Sequence, residues 1–119
     1  MNALDCEELH FLLDNRGAII AFQEKEQSWA GALAFSSEEL ARKFAELSHL
    51  DVAEIAAIAC DDHGSVAALI TALKLRPIRY LLLDLDYHAG KCLQVDFEGS
   101  GFGAVRERQF IAEHRHGQP

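Results

Sequence analysis

Two short clusters hold most of the residues that could do chemistry. Asp84, Asp86 and His88 recur at every second position, so a strand continuing through them would turn all three to one face. Asp61, Asp62 and His63 follow another apolar run. Were the two runs parallel neighbours, both clusters would gather at one edge of a sheet. Carboxylates with an imidazole at that edge suit a divalent cation. Like-charge crowding there would alternatively raise one carboxyl pKa and supply an acid and a base. A simpler reading competes with both. Acidic residues at strand ends often cap a helix or solvate a turn, and Asp61 and Asp62 stand just before a predicted helix, whose dipole favours negative charge.

The remaining candidates are weaker. Ser36 and Ser37 lack a Gly-x-Ser-x-Gly elbow, and capping accounts for them. Cys60 lies beside Asp61 and Asp62, whose charges would disfavour its thiolate. Gly99-Ser100-Gly101-Phe102-Gly103 lacks the Gly-Lys-Ser/Thr ending of a phosphate loop and reads as a flexible link over 98–104. His114 and His116 suit a surface metal contact or a frayed tail equally. No residue pattern defines a catalytic set or a cofactor site.

The elements that must position these residues alternate. Glu7 to Asp14 is mixed, a short helix or a first strand, and Asn15-Arg16-Gly17 signals a turn. Ala18 to Phe22 and Trp29 to Phe35 read as strands, pairing as a hairpin across a charged link or flanking a longer connection. Ser36 and Glu39 form a capping box, and Leu40, Phe44 and Leu47 then share one helical face, with a stop near Leu50. Glu54 to Cys60 is short and apolar and reads as a buried strand. Ser65 caps a second helix with Val66, Leu69, Ile70 and Leu73 as its stripe, ended by Pro77. Arg79 to Asp86 is the strongest strand, apolar on both faces as a central strand should be. Lys91 to Phe97 returns antiparallel, and 105–116 is a terminal helix docking through Val105 and Phe110. Trp29 and Phe35 bracket a strand that would offer backbone groups for association if it lay at a sheet edge.

The totals limit what such a domain can do. The chain has 119 residues, half of them apolar and a quarter charged, with 11 basic against 19 acidic residues and a net charge of −8. That length suits one domain, 1–119. A net acidic surface is repelled by phosphate backbones and anionic lipid, which argues against nucleic-acid and membrane partners. Arg106, Arg108, His114, Arg115 and His116 make the C-terminal segment locally basic, without the interleaved aromatics that stack bases. Three widely spaced cysteines, Cys6, Cys60 and Cys92, form neither a disulfide framework nor a zinc pattern. They suit a reducing, cytoplasmic compartment. The N-terminus has no apolar signal-peptide core, and the aliphatic block near Leu81 is too short to span a bilayer.

The run Leu33-Ala34-Phe35-Ser36-Ser37-Glu38-Glu39-Leu40, the Phe44 helix face, the helix from Ser65 and the leucine strand before Asp84 together resemble the SseB-like family of small α/β domains. Members often carry an Asn-Pro-Gly turn after the last strand, where this chain has Asp84-Leu85-Asp86-Tyr87-His88. The resemblance implies a non-enzymatic domain that works by protein association, and it supplies no catalytic residue. The expectation is therefore one α/β domain, a mixed sheet of about five strands with a βαβαβ core. Its expected role is that of an interaction or accessory module with a protein partner or a second copy of itself. The alternative is a small metal- or ligand-binding protein, or an enzyme, using the acidic strand ends.

Overall fold

The computed structural model describes residues 7–23 and 30–110. Its described elements are β1 (Glu8–Leu13), β2 (Ala21–Gln23), β3 (Ala30–Phe35), α1 (Glu38–Ser48), β4 (Glu54–Ala59), α2 (His63–Leu75), β5 (Ile78–Leu83), β6 (Lys91–Glu98) and β7 (Gly101–Gln109). The strands form one mixed sheet in the order β4-β1-β3-β5-β6-β7, with β2 also paired to β3. This is an α/β architecture with seven strands rather than five.

The expected βαβαβ stretch is present in chain order but not in the sheet. β3 and β5 are parallel neighbours. β4 lies at the far edge, with antiparallel β1 between it and β3. Burial explains the insertion. β1 has apolar side chains on both faces, with Leu9 and Leu12 fully buried and Phe11 nearly so, and a strand of that kind gains most inside a sheet. β4 is alanine-rich and only partly covered, so it loses little at the edge. β3 is wholly buried and central, not an edge strand, and Trp29 lies outside the described residues. Its small residues let neighbours close over it: a Cβ on Gly31 would stand 2.5 Å from Tyr80 Cε1.

The connections β3-α1-β4 and β4-α2-β5 cross the sheet in opposite directions. Right-handed crossovers then require the two helices on opposite faces, and the packing agrees. Ala41 and Phe44 of α1 join Leu12, Leu33, Phe35, Tyr80 and Leu82 on one face. Leu73 of α2 joins Leu9, Phe11, Ala32, Leu81, Leu83 and Val95 on the other. The caps sit slightly off the expected residues. Ser37, not Ser36, caps α1 by accepting from the Leu40 N–H, and Asp62, not Ser65, caps α2 by accepting from the Ser65 N–H. α1 ends at Ser48, where His49 turns left-handed at φ 60°.

The C-terminal third departs most from expectation. Residues 98–104 are not a flexible link: β6 and β7 meet there in a tight hairpin, with Glu98 opposite Gly101 and Gly99 at φ 62°. The segment 105–109 is strand rather than the start of a helix over 105–116, and 111–116 lies outside the described residues. Val105 faces Val95 and Phe102 faces Phe97. Such cross-strand pairs stabilise a ladder that an isolated terminal helix would lack. Among the described residues, no helix is long and apolar enough to cross a membrane.

Candidate functional site

β5 ends at Leu83, one residue before the acidic run, because Asp84 turns left-handed at φ 56°. The Asp84 N–H still donates to Ala34 O at 2.8 Å. Its carboxylate accepts from the Ser36 N–H at 2.7 Å and from Ser36 Oγ at 2.8 Å. Asp84 thus ties the carboxyl ends of the two parallel strands together. This is the task of Ser36, which needs neither a capping nor a nucleophilic role.

The chain then folds into a tight turn built on Asp86. Its carboxylate accepts from the His88 and Ala89 N–H groups at 2.9 and 3.0 Å, and its carbonyl accepts from the Gly90 N–H at 2.8 Å. Those backbone donors, Ala89 first and then His88, hold the Asp86 carboxyl below its usual range. Gly90, at φ 73°, receives the Phe110 N–H on its carbonyl, and a Cβ there would stand 2.7 Å from Phe110 O. The turn is therefore pinned to the end of β7.

Three acidic or imidazole groups expected on one face are thus separated. Asp84 points to Ser36, Asp86 to its own turn, and His88 stacks edge-on to Tyr87 at 5.5 Å. Asp61 and His63 are exposed, and Asp62 is engaged with the Ser65 N–H and Oγ at 3.2 and 3.0 Å. The Asp62 carboxyl is also lowered, chiefly by the Ser65 N–H. β4 and β5 do run the same way, but three strand spacings, about 14 Å, part their ends. Among the described residues, no three His, Cys, Asp or Glu side chains gather to hold a metal ion. Cys60 and Cys92 are buried and not joined to one another.

What the turn does build is a cleft. It projects Tyr87 towards α1, where the ring meets Phe44 edge-on at 5.9 Å. Across from it, Phe22 of β2 meets Phe110 edge-on at 5.1 Å, and the Arg108 guanidinium lies 4.6 Å from the Phe110 ring centre. Between these walls is a cavity of about 480 Å³, floored by Leu33 and Leu85, and a smaller one of about 260 Å³ adjoins it past Phe44 and Tyr87. Phe22 and Tyr87 remain 41% and 46% exposed. α1 packs chiefly on β1 and β3, and the cleft opens on the sheet face beside it. The cleft lies beside the carboxyl ends of parallel strands, where α/β sheets commonly bind ligands.

The sequence points to this turn through its acids, while the cleft is made by its aromatics. Tyr87, set between Asp86 and His88, is the local signal: an aromatic in a polar turn has no core of its own to enter. No family model, no curated protein and no solved structure matches this chain.

Proposed function

We propose that this chain is a non-catalytic interaction module that receives apolar side chains of a protein partner in the cleft between α1 and the β5–β6 turn. The observation that carries this reading is the pair of half-exposed aromatics, Phe22 and Tyr87, flanking an open apolar cleft. Exposed aromatics around a concave site mark interaction surfaces more than isolated ones do. The carboxylates nearest the cleft support a binding role over a catalytic one, since Asp84 and Asp86 are already committed to Ser36 and to the turn backbone. The net charge of −8 disfavours nucleic acid as the partner. The SseB-like resemblance supports the same class of role.

A second reading has one observation in its favour. A cleft of about 480 Å³ is within the usual size of small-molecule sites, so a small aromatic compound would fit it. Selection from a random-peptide display library separates the two. Under the first reading, selected peptides are rich in aromatic and aliphatic residues, and Phe22→Ala with Tyr87→Ala weakens them by about tenfold or more while the protein stays folded. Failure to select any peptide, or peptides indifferent to both substitutions, overturns it. Binding of an anilinonaphthalene sulfonate dye that is lost in the double variant, with no peptide selected, establishes the second reading instead.

A further inference from the structure

The two edges of the sheet are guarded unequally. β7 carries Arg106, Glu107 and Arg108 and has an irregular register with β6 between Val95 and Phe97. Charges and bulges of this kind discourage a further strand. β4 reads Glu54-Ile55-Ala56-Ala57-Ile58-Ala59 and pairs with β1 without a break. Among the described residues, no strand pairs its outer edge.

The orientation of that edge follows from one hydrogen bond. The Cys60 N–H donates to Glu7 O at 2.8 Å, one step beyond the Glu8–Ala59 pair that ends the β1–β4 register. Hydrogen-bonded pairs alternate along an antiparallel ladder, so Ile58, Ala56 and Glu54 also turn their backbone groups to β1. Ile55, Ala57 and Ala59 turn theirs outward.

We propose that this edge pairs with the same edge of a second copy of the chain, antiparallel about Ala57, giving a homodimer with one continuous sheet. A two-fold axis normal to the sheet keeps the faces matched only when residues of like parity oppose one another. Centring on Ala57 satisfies this. Ala57 then exchanges two backbone hydrogen bonds with its copy, and Ile55 exchanges two with Ala59 on each side of it. The side chains suit the same register. Ile55 meets Ala59 on the α1 face, and Ile58 meets Ala56 on the α2 face, so each branched side chain faces a methyl group. The ends of the seam are less favourable, because Glu54 of one copy comes beside Cys60 and Asp61 of the other. That repulsion is exposed and hence screened by salt, so the dimer strengthens as salt rises. The cleft lies on other strands, and the proposal stands or falls independently of it.

The test is sedimentation of the full chain over a range of concentrations, at roughly 20 mM and 500 mM sodium chloride. The wild type shows a monomer–dimer equilibrium that tightens at the higher salt. Ala57→Pro removes an outward N–H and leaves the β1 ladder intact, and it weakens association by about tenfold or more. Ala57→Lys sets two like charges against each other at the axis and does the same, so it carries the test if the proline variant fails to fold. Under mild oxidation Ala57→Cys forms a linked dimer above the wild-type background, since opposed residues have Cα atoms about 5.5 Å apart. Ala104→Cys on β7 does not. A wild type that stays monomeric throughout overturns the proposal. So do folded Ala57→Pro and Ala57→Lys variants that dimerise normally, or equal cross-linking from Ala104→Cys.

Discussion

The ends of β4 and β5 carry similar residues and serve different ends. After β4 come Asp61, Asp62 and His63. After β5 come Asp84, Asp86 and His88. Both strands point the same way, yet the neighbour differs. β5 lies beside parallel β3, whose next residue, Ser36, offers an N–H and a hydroxyl to Asp84. β4 lies beside antiparallel β1, so the chain next to its end is the start of a strand and not another strand-to-helix turn. Asp62 consequently serves its own helix and Asp61 serves solvent. An acidic strand end takes its role from the direction of the adjacent strand, which is a property of the whole sheet.

The largest test of that difference is at Asp84. Asp84→Ala removes two charge-assisted hydrogen bonds between strand ends and leaves alanine at φ 56°. It should cost about 2–3 kcal/mol in urea unfolding. Asp84→Asn keeps an acceptor and a residue that tolerates the left-handed region, and should lose about half as much. The cleft turn starts from Asp84, so both variants should also weaken peptide binding, the alanine variant more.

A smaller effect is expected at the end of β4. Asp62→Ala removes the α2 cap, whose two bonds stay within one turn of chain. The unfolding midpoint should fall by less than half the fall at Asp84, and hydrogen exchange should rise in the first turn of α2 alone. Asp61→Ala, at an exposed residue, should change stability by about 0.5 kcal/mol or less. Equal losses at Asp62 and Asp84 would show that the strand environment does not matter and would break the comparison.

Local pattern was a sound guide wherever one element settles its own form. The leucines of β5 and the strand of Glu54–Ala59 fall where local pattern places them. However, α1 buries Ala41 and Phe44 while Leu40 stays 41% exposed, and β4 is a partly covered edge strand rather than a buried one. The order of strands was not legible, because nothing in Glu54–Ala59 itself says that β1 will intervene. The C-terminal hairpin differs from its local pattern for a physical reason. Gly99 reads as a linker until a partner strand makes it a turn, and Arg106 to Gln109 resemble an exposed helix because an edge strand is charged too. The cleft was the least legible part. Phe22, Phe44, Tyr87 and Phe110 come from four separate elements and turns, and no spacing along the chain joins them.

The finest distinction between the strand ends lies in their response to acid. Asp86 and Asp62 both have carboxyls lowered from 3.8, and so does Asp14, whose carboxylate accepts from the Ala18 and Arg16 N–H groups. A lowered folded-state pKa means that the unfolded chain takes up the proton first as pH falls. The stabilisation is therefore complete above the unfolded value and is lost as pH drops through the folded one. Stability should be level above about pH 5 and decline below about pH 4. Asn at either position keeps an acceptor oxygen but carries no charge and cannot titrate. Asp62→Asn and Asp86→Asn should therefore each flatten the acid limb by lowering the midpoint slightly at neutral pH, where the carboxylate's stabilisation is present. They should differ in what else responds. The turn built on Asp86 carries Tyr87, so acid should weaken peptide binding in the wild type over the range in which Asp86 takes up its proton, and Asp86→Asn should remove that dependence. Asp62→Asn should leave it in place. Urea midpoints and peptide affinities measured together from about pH 3 to 7 decide the matter. A binding profile that follows Asp62 and not Asp86 would mean that the cleft is governed from the β4 end of the sheet.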